Sequence, residues 1–439
     1  MMKSGSDIQP HTPGILAYAR PIYLLSSATA IGQLITFATT PILSRLYSPE
    51  QFGTLAVFVS MTSILGIMAV LKYEQAIPLP RSDRKSTSIL ALCIILLPCT
   101  SLLLTVLILA FGSSLISKFE VSSLLDVQWL IVAAFMLMGL REVLSAWCTR
   151  KEAYRQIAIA KLTGRVTMAV VYITAGLINP SSFWLVVGFC AGEVAWVLTL
   201  ATVIIGSNGP RMTVARFSSV RANARRYSRF PKYSLPGSLL NSMGLHMPSL
   251  LLASLYSPEV AGIYFMCIRF IGAPPTAIQG GILPVFLKES TRAIHENIPL
   301  TPLFRKMAIG IFALSLVFAI MLAALGPWGF GLILGSRWES VGTYAQILSL
   351  AVALQLLIPG ISQVILILER QDLQLKWEIA NITIVCGSII VPWGMGNSAV
   401  TTVAMLSAGI TISYLALFGI ACWLVRKRDA SLDPDTPIN

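Results

Sequence analysis

An eight-residue stretch occurs twice in this 439-residue chain. Leu46-Tyr47-Ser48-Pro49-Glu50-Gln51-Phe52-Gly53 returns as Leu255-Tyr256-Ser257-Pro258-Glu259-Val260-Ala261-Gly262, identical at six of eight positions. At the same offset of 209 residues Tyr18 matches Tyr227, Arg20 matches Arg229 and Leu43 matches Leu252, so the echo runs upstream of the motif. An internal repeat of this period means that one folding unit is used twice, which restricts the architecture before any site is considered.

The repeated unit is a membrane one. Hydrophobic residues make up 55% of the chain and charged residues 12%, against roughly 25% charged in soluble domains. The apolar runs approach the roughly 20 residues that a helix needs to cross a hydrocarbon core, and they lack the alternation of a membrane barrel. The expected fold is therefore an all-α integral membrane protein. About twelve spans are expected, over 22–45, 52–71, 88–112, 127–147, 158–178, 183–205, 234–255, 259–283, 307–327, 343–368, 378–395 and 400–425. The first of these is too long for a signal-peptide core and is read as a retained helix.

A net charge of +13 would suggest nucleic acid in a soluble protein, but here the distribution of charge decides. With the N-terminus in the cytoplasm, 27 of the 32 Lys and Arg fall on the cytoplasmic side, as the positive-inside rule requires, and only Arg45, Lys118 and Arg337 fall on the other. Arg141 and Arg269 lie within spans. The expectation is a multi-pass protein of the bacterial inner membrane with both termini cytoplasmic and no nucleic-acid partner. The seven Cys lie in or near apolar spans without CxxC spacing, which suits packing and points to neither metal nor disulfide framework. No cofactor is expected.

Six crossings separate the two copies of the motif, so both face the same side and the repeat is parallel. The chain then divides into an N-terminal six-helix bundle over 1–205, a basic cytoplasmic linker over 206–233 and a C-terminal six-helix bundle over 234–439. The bundles are related by a pseudo-two-fold axis along the membrane normal, as in transporters whose site lies between their repeats. The linker carries seven Lys or Arg and no Asp or Glu, which suits anionic lipid headgroups. Within the motif, Ser48 can cap a helix, Pro49 suits the first helical position and Glu50 complements the positive helix end; Ser257, Pro258 and Glu259 repeat this. The motif is thus a tight outer turn, with formation of an outer gate as its functional alternative.

The chain resembles the polysaccharide transporter branch of the MATE/MOP superfamily, the flippases of O-antigen and exopolysaccharide repeat units. The likeness is carried by residues 41–53, Pro-Ile-Leu-Ser-Arg-Leu-Tyr-Ser-Pro-Glu-Gln-Phe-Gly, by Lys72-Tyr73-Glu74-Gln75-Ala76-Ile77 and by Gly335-Ser336-Arg337-Trp338. The family pattern more often has Arg where this chain has Lys72. The resemblance implies alternating-access translocation of an undecaprenyl-diphosphate-linked oligosaccharide across the inner membrane, for O-antigen, capsule or exopolysaccharide synthesis. The implied partners are the lipid-linked oligosaccharide and bilayer lipids. H+ or Na+ could serve as coupling ion, and glycan-assembly enzymes could dock on the linker.

A charge near the bilayer centre is costly, so embedded ionisable residues are the first candidates for a site. Arg269 lies about 15 Å beyond Glu259 along its helix, near the midplane, and Glu193 lies at similar depth in span six. One reading makes them an internal ion pair; the other turns Arg269 to the cavity to attract a diphosphate, with Glu193 as its resting partner or as a titrating group. Arg141 and Glu142 sit near the inner end of span four, while Lys161 and Arg165 share one face of span five. Together they read either as an inner basic funnel for a phosphorylated headgroup or as positive-inside anchoring. Arg45 precedes the first outer turn, where the second copy has Ser254. His246, mid-span in helix seven, is either a packing residue or a proton-coupling group, and Glu193 and Glu142 are the other ion-coupling candidates. Gln33 and Asn241, with Gln279, Gln355 and Gln363, could bind sugar hydroxyls or simply join helices. Glu74 reads as a solvated end charge paired with Lys72. Pro41, Pro98, Pro248, Pro274, Pro275, Pro284 and Pro359 would bend their helices.

An enzyme would need a sizeable outer segment with catalytic residues, and no Walker A, GxSxG or HExxH pattern occurs. The closer alternatives are a cation-coupled drug exporter of the same superfamily, which would favour acidic rather than basic embedded charges, and a peptidoglycan lipid-precursor flippase, which more often has more spans.

Overall fold

The computed structural model describes residues 15–116, 118, 128–206, 217–272, 286–356 and 358–432, and these residues contain helices and turns without a strand. In chain order the helices are α1 (Ile15–Leu46), α2 (Pro49–Gly66), α3 (Asp83–Ile116), α4 (Gln128–Arg150), α5 (Tyr154–Ile178), α6 (Ser182–Ile205), α7 (Phe217–Arg226), α8 (Leu235–Leu255), α9 (Pro258–Ile271), α10 (Thr301–Leu334), α11 (Glu339–Gln355), α12 (Ile358–Ile367), α13 (Gln371–Gly394) and α14 (Ala399–Ala430). A further helical segment covers 286–295.

Among the described residues, eight segments are long and apolar enough to cross a membrane: α3, α4, α5, α6, α10, the α11–α12 stretch, α13 and α14. The other four expected spans fall on α1, α2, α8 and α9. Span two is shorter than expected, because α2 stops at Gly66 and the chain turns through left-handed backbone at Leu71 and Lys72 before a short 3-10 turn, Tyr73–Ala76. Span eight is described only to Gly272, so Pro274, Pro275, Gln279 and Pro284 lie outside the described residues. Span ten is divided between α11 and α12.

The repeat reappears as packing. Helix α1 packs on α5, α3 on α4, α2 on α4, α4 on α6 and α5 on α6; in the second half α8 packs on α13, α10 on α11, α9 on α11, α11 on α14 and α13 on α14. Helices α3 and α10 are the most apolar and among the least buried, with Leu102, Leu109 and Phe111 on one and Val317, Ile320 and Trp328 on the other facing outward, as lipid-facing helices must.

The two halves meet at the end that carries the repeated motif, hereafter the turn end. Ser48 accepts from the Gln51 amide at 3.3 Å while the Gln51 side chain accepts from the Ser48 amide at 2.9 Å, a complete capping box. The second copy has Val260 in place of Gln51 and keeps only half of it, the Val260 amide donating to Ser257 Oγ at 3.2 Å. Each tyrosine of the motif ties its turn to a distant part of its own half: Tyr47 donates to the Tyr172 carbonyl and Tyr256 to the Asn397 carbonyl. Helices α2 and α9 then cross closely enough that a methyl group on Gly53 would overlap the Pro258 carbonyl, and one on Gly262 the Pro49 carbonyl. Trp338, from the 3-10 turn after α10, donates its indole N–H to the Ser44 carbonyl at 2.8 Å and packs edge-on against Phe52. A single apolar core including Tyr47, Phe52, Leu252 and Trp338 therefore crosses from one half to the other at the turn end. At the opposite end, which carries most of the basic residues, the halves part around cavities.

Candidate functional site

The pocket in the first half is made by a close helix approach. Gly164 of α5 and Gly192 of α6 face each other, so that a Cβ on either would lie 2.9 Å from the other's carbonyl oxygen. Small residues permit such contact between membrane helices. The next residue on each helix is charged, and the contact places Arg165 beside Glu193. From α4, Arg141 brings Nη1 to both Glu193 oxygens, at 2.7 and 2.8 Å, and its other nitrogens to Glu142 at 3.0 and 3.3 Å. The Arg141 guanidinium also stacks over the Trp196 ring, 5.0 Å from its centroid. Arg141, Arg165, Glu193, Trp196, Met138, Met168 and Phe189 are among the residues that line a cavity of about 250 Å³.

A second cavity adjoins this one. Ser63, Met138 and Arg141 belong to both, and the second, of about 570 Å³, lies between the halves at the basic end. Lys72, Glu74, Glu142, Asn241, His246 and Glu378 line it. Asn241 and Leu245 line both it and a third cavity, of about 390 Å³, within the second half. There Gln355, Trp377, Asn381 and Tyr414 offer amides, an indole and a phenol, and among the described residues no charged side chain lines the wall. The three spaces thus pass from a cationic pocket through a mixed centre to a neutral, aromatic lobe.

The sequence candidates distribute as follows. Arg141, Arg165 and Glu193 come together, Glu142 stands on the rim, and Asn241 and His246 line the central cavity. Lys161 is one turn from Arg165 but is directed to Thr29 of α1, to which its Nζ donates at 2.7 Å. Gln33 is half-buried on α1, and Arg45 is exposed at the turn end. Arg269 does not meet Glu193. It lies on α9 beside the Tyr172 phenol, and its buried Nε has no acceptor, while Glu193 has Arg141 as partner. The reason is geometric: α6 packs against α4, α5 and α2, and α9 against α2, α8 and α11, so the two helices share α2 as a neighbour.

Two carboxylates differ from their sequence reading. Glu74 is not a solvated end charge; it is 5% exposed, 3.6 Å from Lys72, with one oxygen lacking any hydrogen bond. Burial pushes its carboxyl above the usual carboxylate range against the opposing pull of Lys72. Glu378 is the residue that sequence reasoning passed over. It is 6% exposed and accepts from Asn241 Nδ2 and Gln374 Nε2, each at 3.2 Å, with no cation at ion-pair distance among the described residues. The expected span eleven began at Glu378, but α13 starts two turns earlier at Gln371 and carries the carboxylate inside. One turn on, Asn381 accepts from Ser413 Oγ at 2.8 Å.

A family model described as polysaccharide biosynthesis protein matches residues 42–343. Among solved structures, an inward-facing conformation of a multidrug resistance MATE family transporter of the MOP superfamily superposes with a TM-score of 0.73 at 14% identity, over 95% of this chain and 96% of that one. The lipid II flippase MurJ in an inward closed conformation gives 0.69 at 13% identity, over 95% and 94%. An outward-facing conformation of a multidrug resistance MATE family transporter gives 0.53 at 13% identity, over 94% and 96%. No curated protein sequence matches the chain. The fold is that of the MATE/MOP transporters.

Proposed function

This chain belongs to the polysaccharide biosynthesis protein family, and from that premise we propose that it is a flippase for undecaprenyl-diphosphate-linked oligosaccharides in the bacterial inner membrane. Family and fold support a membrane transporter over a catalyst. One observation carries the finer reading: neighbouring cavities set a cationic pocket, Arg141 and Arg165 against Glu193, in line with a neutral lobe walled by Gln355, Trp377, Asn381 and Tyr414. A lipid-linked saccharide has that division, with a diphosphate beside a string of hydroxyls. Guanidinium groups match phosphate oxygens, and amides and aromatic faces suit sugar rings.

In this reading the basic end faces the cytoplasm, as the positive-inside rule places it, and the two six-helix halves rock about the α2–α9 contact. The head enters from the basic end while the prenyl chain stays in lipid. Arg269, near the midplane and short of hydrogen-bond partners, meets the charge as it crosses. Glu193, Glu142 and His246 are the groups through which a proton gradient would act. No covalent step is needed.

Glu378 favours a second reading. A buried carboxylate with only amide partners is where a cationic drug or a coupling cation would be attracted, as a cation-coupled exporter requires. The deciding experiment reconstitutes the protein in proteoliposomes and follows both a fluorescent undecaprenyl-diphosphate oligosaccharide and a cationic dye. Movement of the lipid, lost in Arg269→Ala at matched folded protein, is the expected result. Dye export without lipid movement would replace the flippase by the exporter.

A further inference from the structure

The cationic pocket contains donors with nothing to donate to. Arg165 makes no hydrogen bond or ion pair among the described residues, although it lies beside Glu193 and Arg141. The Trp196 indole N–H is buried without an acceptor on the same wall. A buried donor without an acceptor, as at Trp196, is costly unless something fills the site, and the half-buried Arg165 guanidinium adds an uncommitted cation to the same lining. The one carboxylate among the described residues that line this pocket, Glu193, presents its two oxygens to one nitrogen of Arg141, with Glu142 half-exposed on the rim and Lys161 engaged by Thr29. A space of about 250 Å³ is below the roughly 300–1,000 Å³ of pockets for drug-sized ligands, so it suits a small anionic group rather than a saccharide.

We propose that Glu193 is a built-in stand-in for phosphate, and that the diphosphate of the substrate enters this pocket by exchange with it. The incoming oxygens take the Arg141 nitrogen that Glu193 releases, the unpaired guanidinium of Arg165 and the Trp196 N–H, while the saccharide extends into the lobe of Trp377 and Asn381. Glu193 keeps the pocket electrostatically closed to weaker anions and to an empty return with bare arginines, because two adjacent guanidinium groups without a counter-ion repel. The assignment rests on the lipid-diphosphate reading above and adds to it a specific competitor and three specific donors.

The test is equilibrium binding of farnesyl diphosphate and of inorganic pyrophosphate to the purified full-length protein in nanodiscs. Glu193→Gln removes the competitor and should bind both probes about tenfold more tightly, Glu193→Asp should stay near wild type, and Arg165→Gln should bind about tenfold or more weakly. Trp196→Phe should weaken binding by a smaller factor. Tighter binding confined to Glu193→Gln supports exchange. Unchanged or weaker binding in Glu193→Gln, with wild type still binding and flipping its lipid, overturns the exchange and leaves the flippase standing. Failure of wild type to bind either diphosphate overturns both. Should a variant not fold, infrared difference spectra of wild type with and without pyrophosphate give an independent reading. A shift of the carboxylate stretch supports release of Glu193 from Arg141, and its absence on saturation overturns it.

Discussion

Gly53 and Gly262 occupy the same place in the two copies of the repeat, and in the folded chain each lies against the first turn of the other's helix. A side chain on Gly53 would overlap Pro258 and one on Gly262 would overlap Pro49. Such reciprocity is what a two-fold relation imposes on a self-complementary contact. It explains why Pro and Gly recur together four residues apart: the proline opens the helix, and the glycine one turn on leaves room for the other proline. The motif read from sequence as a capped outer turn is also the point at which the halves touch.

Gly53→Ala and Gly262→Ala should each force α2 and α9 apart. Overpacking of this kind costs about 1–3 kcal/mol, here levied on the conformer closed at the turn end. The expected outcome is a lower melting temperature together with faster thiol labelling of a cysteine placed at exposed Arg45. Gly310→Ala, where an added Cβ meets nothing within 4 Å, should melt as wild type does. Equal labelling and melting in the Gly53 and control variants would remove the contact from the closure.

The Arg141–Glu193 pair is asymmetric under mutation. Arg141→Ala leaves a carboxylate buried beside Arg165 alone, and breaking a buried pair in this way costs about 3–5 kcal/mol. Glu193→Gln leaves a neutral amide and an arginine that keeps Glu142, so it should cost much less. Thermal melts of both single variants and the double should show Arg141→Ala recovering part of its loss when Glu193→Gln is added. If the two losses simply add, the residues do not communicate and their ion pair contributes no coupling energy.

Glu74 gives a pH dependence. Its folded carboxyl is raised by burial, so it takes up a proton more readily in the folded than in the unfolded chain. Stability from this group is fully present below the unfolded value and is lost as pH rises through the folded one. Glu74→Gln cannot ionise and should escape that loss. The melting temperature of the variant minus that of wild type should therefore be smallest in acid and grow as pH rises toward neutrality. A difference independent of pH would show that Glu74 ionises freely and that its position is set by Lys72 alone.

Much of the fold was legible because apolar length and the repeat are properties of the chain itself. The paired helices of the two halves follow from the repeat, and the outward faces of α3 and α10 follow from their composition. The site was legible as a set of embedded charges but not as a set of partners. Arg141 and Glu193 are 52 positions apart, and nothing in their spacing joins them; what does is the contact of Gly164 with Gly192, which only the packed helices reveal. Glu378 was missed because an apolar window marks where lipid begins rather than where a helix begins, and α13 runs two turns beyond that window. Glu74 was misplaced for the converse reason: its helix ended early and the following turn folded inward.

The described part of the basic linker from Phe217 onward is fastened to the first half, and this can be tested. Helix α7 packs on α3 with Val220 buried, and Tyr73 of the first half donates to the Ala224 carbonyl at 3.0 Å. Its arginines, Arg221, Arg225 and Arg226, stay exposed on the opposite side. From there the chain passes through a π turn, Phe230–Ser234, directly into α8, so α7 is fastened to one half while its continuation begins the other. Motion between halves must then be absorbed near the π turn, where Pro231 and Pro236 withhold backbone donors. Tyr73→Phe removes a hydrogen bond worth about 1 kcal/mol. If tryptic cleavage at the α7 arginines requires local opening, it should speed up by about fivefold. Cleavage sites mapped by mass spectrometry would check this. An unchanged rate at those three arginines would mean that the tyrosine does not hold α7, and that the apolar contact of Val220 holds it instead.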